Sequence, residues 1–154
     1  MDTDSREALL TQYRNGPQVL AEALDRVGSD RLDISVVEGE WTPRQIVHHA
    51  ADSETMGYIR LRRLLAEDHP VIQSYDEATF AVTLHYDRPI ETSLAVVRAV
   101  RASSAELLAA LSDEEWLREG AHSEHERYTI FEWLQIYARH CHDHAEQMCR
   151  AVGL

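Results

Sequence analysis

Basic residues are scarce in this chain of 154 residues, in which 15 Lys and Arg stand against 27 Asp and Glu. The formal net charge is therefore −12. Nucleic acids and anionic membranes both attract proteins through basic patches, so we expect neither of them as a partner. The expected partner is a small-molecule substrate.

Long apolar runs are also missing, because no stretch approaches the roughly 18 apolar residues that a membrane-spanning helix needs. The opening MDTDSREALL lacks the basic and then apolar pattern of a signal peptide. There are two cysteines, Cys141 and Cys149. They lie about 12 Å apart along one predicted helix, which is too far for a disulfide between them. We therefore expect a cytoplasmic protein with free thiols.

The length and the 44 % apolar content fit a single globular domain that covers residues 1–154. Helix signals dominate, and strand alternation is weak throughout. Helices are predicted over 5–27, 43–67, 89–111 and 130–152. Asn15-Gly16-Pro17 should kink or break the first of them. Residues 70–88 are predicted to be a long connection, and 119–128 a loop.

Two capping boxes mark the starts of the second and last helices. They are Thr42-Pro43-Arg44-Gln45 and Thr129-Ile130-Phe131-Glu132. Four long amphipathic segments with a long crossover between the second and third predict an all-α four-helix bundle. Such bundles build their sites from side chains on facing helices, so the orientation of each histidine decides which of them can meet.

Helical geometry separates the two adjacent histidines of the second helix. With Ile46 at the centre of the apolar stripe, His49 lies about 60° away, at its edge. His48 lies about 160° away and is expected to face solvent. His49 is therefore the candidate for a functional role, although a hydrogen-bonded core histidine is the alternative interpretation.

On the last helix, Cys141 falls on the apolar stripe and is predicted to be a packing residue. His140 and His144 share one edge four residues apart, so their rings are neighbours. Two histidines at this spacing bind one metal ion in other proteins, and His49 could supply a third ligand from a facing helix. Three protein ligands with an open position are typical of catalytic metal sites. His122 and His125 lack a predicted helix and are interpreted as surface residues.

The stretch GEWTPRQIVHHAADS at 39–53 and the pattern Tyr137-x-x-His140-x-x-x-His144 resemble the DinB/YfiT-like superfamily of metal-dependent hydrolases. The resemblance covers residues 20–152. It implies a DinB-like four-helix bundle, often a homodimer, with divalent nickel or zinc on three histidines. Those histidines fall on His49, His140 and His144, the three that helical geometry selects.

Three positions depart from the family pattern. Arg139 stands where tryptophan is common, and Asp143 stands where a histidine is common. Glu54 follows Asp-Ser where close relatives have a histidine. The ligands survive these changes, whereas the chemistry of the pocket around them can differ.

The first functional hypothesis is a metal-dependent hydrolase, in which the divalent ion activates water. Asp52, one turn along from His49, could orient an imidazole or act as a base, and a helix–helix polar contact is the alternative. Tyr137 and Gln147 are candidate polar groups of the pocket. Trp41 could wall the site or serve as a hydrophobic staple at the helix start.

Two other functions remain open. Proteins that resemble this chain include transferases and isomerases that use a low-molecular-weight thiol, whose thiolate the metal would bind. Arginines at the rim could then hold the thiol cofactor, although surface salt bridges are their ordinary use. The candidates are Arg60, Arg62, Arg63 and Arg139. The third hypothesis is a non-catalytic, stress-related binding protein whose metal is incidental or structural.

Overall fold

The computed structural model describes residues 3–123 and 125–154, and only the backbone of 3, 4, 125 and 126. The helices and strands, in chain order, are α1 (Thr3–Val27), α2 (Pro43–Ala66), β1 (Val71–Ile72), α3 (Glu77–Thr83), α4 (Glu91–Ala109), β2 (Glu119–His122), β3 (His125–Thr129) and α5 (Ile130–Ala151). The four long helices α1, α2, α4 and α5 form the bundle, which confirms the predicted fold. No helix within the described ranges is both long and apolar enough to span a membrane.

Each of α1 and α2 packs against both α4 and α5. Helices α1 and α2 therefore occupy opposite corners of the bundle, and α5 lies between them. The long crossover from α2 to α4 is confirmed, and it carries β1 and α3. Because α2 and α5 are direct neighbours, histidines on their facing edges can meet.

Both predicted capping boxes are present. The Thr42 side chain accepts a hydrogen bond from the backbone N–H of Gln45, and the Gln45 side chain accepts one from the N–H of Thr42. Thr129 and Glu132 make the same reciprocal pair at the start of α5. These bonds satisfy backbone donors that have no partner inside the helix. They set the starts of the two helices that carry the candidate ligands.

The apolar core forms two clusters. One contains Leu10, Tyr13, Leu61, Leu64, Trp133 and Tyr137, among others. The other contains Leu20, Ile46, Ala50, Cys141 and Met148, among others. Glu54 and Arg101 are buried charged residues that contact members of both clusters. A charged pair thus lies in the middle of the bundle, next to the candidate ligands.

Asn15-Gly16-Pro17 was predicted to kink or break the first helix, and the break is wrong because α1 continues through this stretch. Proline lacks the N–H that would bond to the carbonyl four residues earlier. That carbonyl belongs to Tyr13, and it accepts a hydrogen bond of 2.6 Å from Nη1 of Arg101 instead. Gly16 leaves room for this contact, since a Cβ at that position would overlap Arg101 Nη1. The helix is continuous because a side chain of α4 replaces its missing donor.

Replacing Gly16 with alanine is therefore expected to destabilise the protein by about 1–3 kcal/mol through overpacking against Arg101. Helix propensity alone predicts the opposite effect, an increase in stability of about 1 kcal/mol, because alanine favours the helix more than glycine does. Chemical denaturation of wild type and Gly16→Ala decides between them. A stabilised variant would show that Arg101 does not constrain this position.

Residues 119–128 were predicted to be a loop, which is wrong. Strands β2 and β3 pair antiparallel, β1 pairs parallel with β2, and the sheet order is β1-β2-β3. The strands are too short for alternation to show in the sequence. The sheet also depends on the pairing of β2 with β1, a strand of the distant crossover. Local sequence does not reveal such a long-range pairing.

Candidate metal centre

The three candidate ligands lie together. One ring nitrogen of each of His49, His140 and His144 lies within 4.8 Å of the other two. The ring centroid of His144 is 4.5 Å from that of His140 and 4.7 Å from that of His49. Helix α2 thus contributes one imidazole and α5 contributes two, as their orientations predicted.

Hydrogen bonds define which nitrogens of the α5 pair face the centre. Nδ1 of His144 lies 2.8 Å from Oε1 of Gln147, and Nδ1 of His140 lies 3.1 Å from Oε1 of Glu54. Amide and carboxylate oxygens only accept, so each Nδ1 carries the hydrogen and each Nε2 keeps its lone pair. The two Nε2 atoms are 3.1 Å apart. Two lone pairs this close repel each other, whereas a cation bound by both would stabilise them.

Burial favours the neutral form of His49 and His144. It lowers the pKa of His49 to about 3, with further contributions from His144 and His140. It also lowers the pKa of His144 to about 4, and His140 adds to the effect. Nδ1 of His49 is buried without a hydrogen-bond partner. Neutral imidazoles with available nitrogens are the donor set that zinc, nickel and similar ions accept, so the residues fit a divalent metal.

Glu54 holds His140 in place, a role that the sequence did not reveal. Its side chain is 1 % exposed and forms an ion pair with Arg101 Nη2 at 2.7 Å. Burial alone would raise the pKa of the Glu54 carboxyl, but Arg101 and His140 hold it below its usual value. A carboxylate that accepts from a ligand histidine fixes the ring and raises its basicity.

Arg101 completes this buried group. Besides Glu54, its guanidinium donates to the carbonyl oxygens of Tyr13 at 2.6 Å and Tyr137 at 2.5 Å. The sequence did contain one sign that Arg101 is buried. It lies four residues after Val97 and four residues before Ala105, on the apolar face of α4. A charge at such a position needs a buried partner.

A second group of potential ligands consists of Glu54, His140 and Cys141. It suits a metal less well, because Arg101 already neutralises the Glu54 carboxylate. Burial raises the pKa of the Cys141 thiol to about 12, and metals bind the thiolate. Cys141 is a fully buried core residue, as predicted. The three-histidine group is therefore the better candidate.

The predicted pocket residues flank the histidines. Gln147 accepts from His144, as described above. The Trp41 ring lies 4.9 Å from that of His49, and the buried Tyr137 ring lies 5.9 Å from that of His140. These contacts place all three beside the centre.

Asp52 forms its hydrogen bond outside the three-histidine group. Its Oδ2 accepts a hydrogen bond of 2.8 Å from the Tyr86 hydroxyl. Among the described residues, no hydrogen bond joins Asp52 to the three histidines. The Tyr86 ring packs edge-on against Trp41, which in turn contacts His49. Orientation of this aromatic wall is the role that the contacts favour, and a role as base stays a prediction.

His48 was predicted to face solvent, and this prediction is wrong. The residue is fully buried. Its Nε2–H donates to the carbonyl of Arg88 at 2.9 Å, and its Nδ1 accepts from the Ser93 hydroxyl at 2.8 Å. The crossover and the start of α4 cover the side of α2 that carries His48. Helix α2 is therefore buried on this side as well as on the side that carries Ile46.

Neither His122 nor His142 belongs to the three-histidine group. His122 is partly buried and stacks on Tyr128 with ring centroids 4.8 Å apart. The side chain of His125, predicted to be on the surface, lies outside the described residues. His142 bonds to the Gln12 carbonyl at 3.1 Å, on another side of α5.

Of the four candidate rim arginines, Arg60 lines a cavity of about 320 Å³ that His140 also lines. Arg62 bonds to serines of α4, and Arg63 pairs with an acidic neighbour on its own helix. Arg139 lies 3.7 Å from Asp143 at an exposed position. Arg60 is thus the arginine of this set that is placed beside the centre.

Removing the acceptor from His144 is expected to weaken metal binding. Gln147→Ala should lower zinc affinity by about tenfold, since outer-sphere partners contribute about 10–100-fold. Gln147→Glu keeps an acceptor and should bind at least as tightly as wild type. Competition with a chromogenic chelator measures both, with the exposed Gln135→Ala on the same helix as the control. Equal affinity of Gln147→Ala and wild type would contradict the orienting role.

Comparison with known proteins agrees with the family pattern. A family model described as the DinB superfamily matches residues 12–148. A protein of Oceanobacillus iheyensis is 37 % identical over 135 residues, which cover 88 % of this chain and 78 % of that protein. YfiT of Bacillus subtilis is 33 % identical over 131 residues, 83 % of this chain and 73 % of YfiT. Both relatives carry the provisional name of metal-dependent hydrolase.

Solved structures share the fold. One is YfiT from Bacillus subtilis, described as a probable metal-dependent hydrolase with an unusual four-helix bundle topology. It superposes on this chain with a TM-score of 0.90 and 27 % sequence identity. The superposition covers 98 % of this chain and 87 % of that chain. A mycothiol-dependent maleylpyruvate isomerase superposes with a TM-score of 0.75 and 18 % identity, covering 96 % of this chain and 63 % of that chain. At this identity, the second likeness concerns the fold alone.

Proposed function

The chain belongs to the DinB superfamily, and from this premise we propose that it is a metal-dependent hydrolase of a small-molecule substrate. The proposed ligands of its divalent ion are His49, His140 and His144. The observation that carries this proposal is the 3.1 Å separation of two Nε2 atoms whose rings both use Nδ1 as a donor. Nickel and zinc are the proposed metals, because both accept imidazole nitrogen.

A divalent ion held in this way supplies Lewis acidity, which lowers the pKa of water and polarises a carbonyl group. The protein's own groups hold the imidazoles ready. Glu54 and Gln147 fix the rings of His140 and His144, and α2 presents His49 from the facing side. The Trp41 and Tyr137 rings lie against His49 and His140, respectively, at the flanks of the centre.

The test is hydrolysis by zinc-loaded or nickel-loaded protein on a panel of chromogenic esters and amides. Wild type and the control His142→Ala are expected to cleave the same compound, and His144→Ala is expected to lose the activity. His142 has the same side chain on the same helix but lies outside the centre. Equal activity of His144→Ala, or no cleavage by any loaded form, would overturn the hydrolase assignment.

A low-molecular-weight thiol as co-substrate is the second candidate function. It is supported by the fold shared with the mycothiol-dependent isomerase and by an ion position that three protein ligands leave open. Adding N-acetylcysteine to the cobalt(II)-loaded protein separates the candidates. A saturable sulfur-to-cobalt charge-transfer band would favour the thiol reaction, and its absence together with ester cleavage would favour hydrolysis. Absence of both would favour a non-catalytic binding protein.

A further inference from the structure

The cavity beside His140 has features of a binding site. Its volume is about 320 Å³, which is enough for a small organic molecule. The lining residues are Ser53, Arg60, Ser74, Tyr75, Glu77, His122, Tyr128, Ile136, Tyr137 and His140. One of the proposed metal ligands thus forms part of its wall, and a molecule in the cavity would lie beside the centre.

Arg60 provides the positive charge of this cavity. Its Nη1 donates to the Tyr137 hydroxyl at 3.3 Å, and its Nη2 donates to the Gln73 carbonyl at 2.7 Å. Both acceptors are neutral, and among the described residues no carboxylate lies within ion-pair distance of Arg60. A guanidinium has five N–H donors, so hydrogens remain on the terminal nitrogens. A partly buried cation without a counter-ion favours an anionic ligand.

The surroundings of Arg60 fit a ligand with a flat or apolar body. The Tyr75 ring lies beneath the guanidinium, with the Cζ atom 6.0 Å from the ring centroid. Tyr137 connects Arg60 to the centre, since its ring is 5.9 Å from that of His140. Ile136 adds apolar surface to the wall. The charge and the apolar surface therefore lie side by side.

We propose that this cavity binds a small carboxylate, with the carboxylate group on Arg60 and the organic body against Tyr75 and Tyr137. This inference rests on the proposed function, because it defines the substrate class of the same centre. A carboxylate fits better than a phosphate, whose greater charge is usually matched by several cations. Here a single arginine faces the ligand, and the nearby Glu77 adds a negative charge at the exposed rim.

Benzoate titration tests the proposal, with backbone amide NMR shifts of Ser74 and Tyr75 reporting where it binds. Benzoate is expected to shift these amides in wild type, and Arg60→Gln should bind it at least about tenfold more weakly. Arg63→Gln removes the same charge three residues along α2, away from the cavity, and should bind as wild type does. Benzamide, which has the same shape without the charge, should bind at least about tenfold more weakly than benzoate.

Further measurements separate this proposal from the metal centre. The titration is repeated in His144→Ala, where benzoate binding should still depend on Arg60. Loss of benzoate binding in His144→Ala with no effect of Arg60→Gln would overturn the proposal, because the anion would then bind the metal. Binding that is equal in Arg60→Gln and wild type, or absent from wild type, would also overturn it. Displacement of benzoate by a lower concentration of inorganic phosphate would assign the site to phosphate instead.

Discussion

Replacing His144 with alanine is expected to lower zinc affinity by at least about a hundredfold while the bundle stays folded. Loss of an outer-sphere partner alone reduces metal affinity by about 10–100-fold, and loss of a direct ligand is expected to reach or exceed the upper end of that range. The fold should survive because two apolar clusters pack the bundle without any metal. His49→Ala and His140→Ala are expected to behave in the same way.

Zinc titration against a competing chelator measures these affinities, and circular dichroism checks the fold. Zinc should also raise the melting temperature of wild type, because a ligand that binds only the folded state stabilises it. The control is His142→Ala, whose side chain bonds to the Gln12 carbonyl away from the centre. Wild-type affinity in His144→Ala, or an equal loss in His142→Ala, would show that the centre does not bind the metal.

Replacing Glu54 with alanine is expected to have two large effects. The first is a loss of about 3–5 kcal/mol of stability, because the Arg101 guanidinium, 1 % exposed, would keep its charge without a counter-ion. The second is a fall in zinc affinity of about 10–100-fold, because Nδ1 of His140 would lose its acceptor. Denaturation and zinc titration measure the two effects separately. Glu67→Ala, which breaks the solvent-exposed pair with Arg63, should change stability far less than Glu54→Ala does.

A double variant separates the two roles of Glu54. Replacing Glu54 and Arg101 together by methionine removes both buried charges, and such replacements are often neutral for stability. We expect the double variant to recover only part of the stability that Glu54→Ala loses, because the buried carbonyls of Tyr13 and Tyr137 would lose the donor that Arg101 provides. Its zinc affinity should stay low, since His140 still lacks the carboxylate. If zinc affinity returns together with stability, Glu54 has no orienting role.

Local sequence was sufficient for the four long helices and for the pairing of His140 with His144. The capping boxes at Thr42 and Thr129 fix the starts of α2 and α5 through hydrogen bonds between residues three apart in the chain. The structure contains both capping boxes. The spacing of His140 and His144 brings their rings together wherever a helix forms. These features depend on neighbours in the chain, so a single sequence reveals them.

Long-range contacts explain what the sequence did not reveal. Glu54 and Arg101 are 47 residues apart and meet only when α2 packs against α4. Pro17 is compatible with a continuous α1 because Arg101 bonds to the freed carbonyl of Tyr13. His48 was assigned to solvent because helical geometry gives its direction but not which segment covers it. Each of these outcomes is decided by a partner from a distant part of the chain.

X-ray absorption at the zinc edge tests the central claim, that three histidine nitrogens bind the metal, most directly. Protein loaded with a single zinc ion per chain should show nitrogen and oxygen neighbours at about 2.0–2.1 Å, with histidine scattering and without sulfur. Sulfur at about 2.3 Å would place the ion on Cys141, in the group formed with Glu54 and His140. That result, or a protein that retains no zinc, would contradict the three-histidine centre.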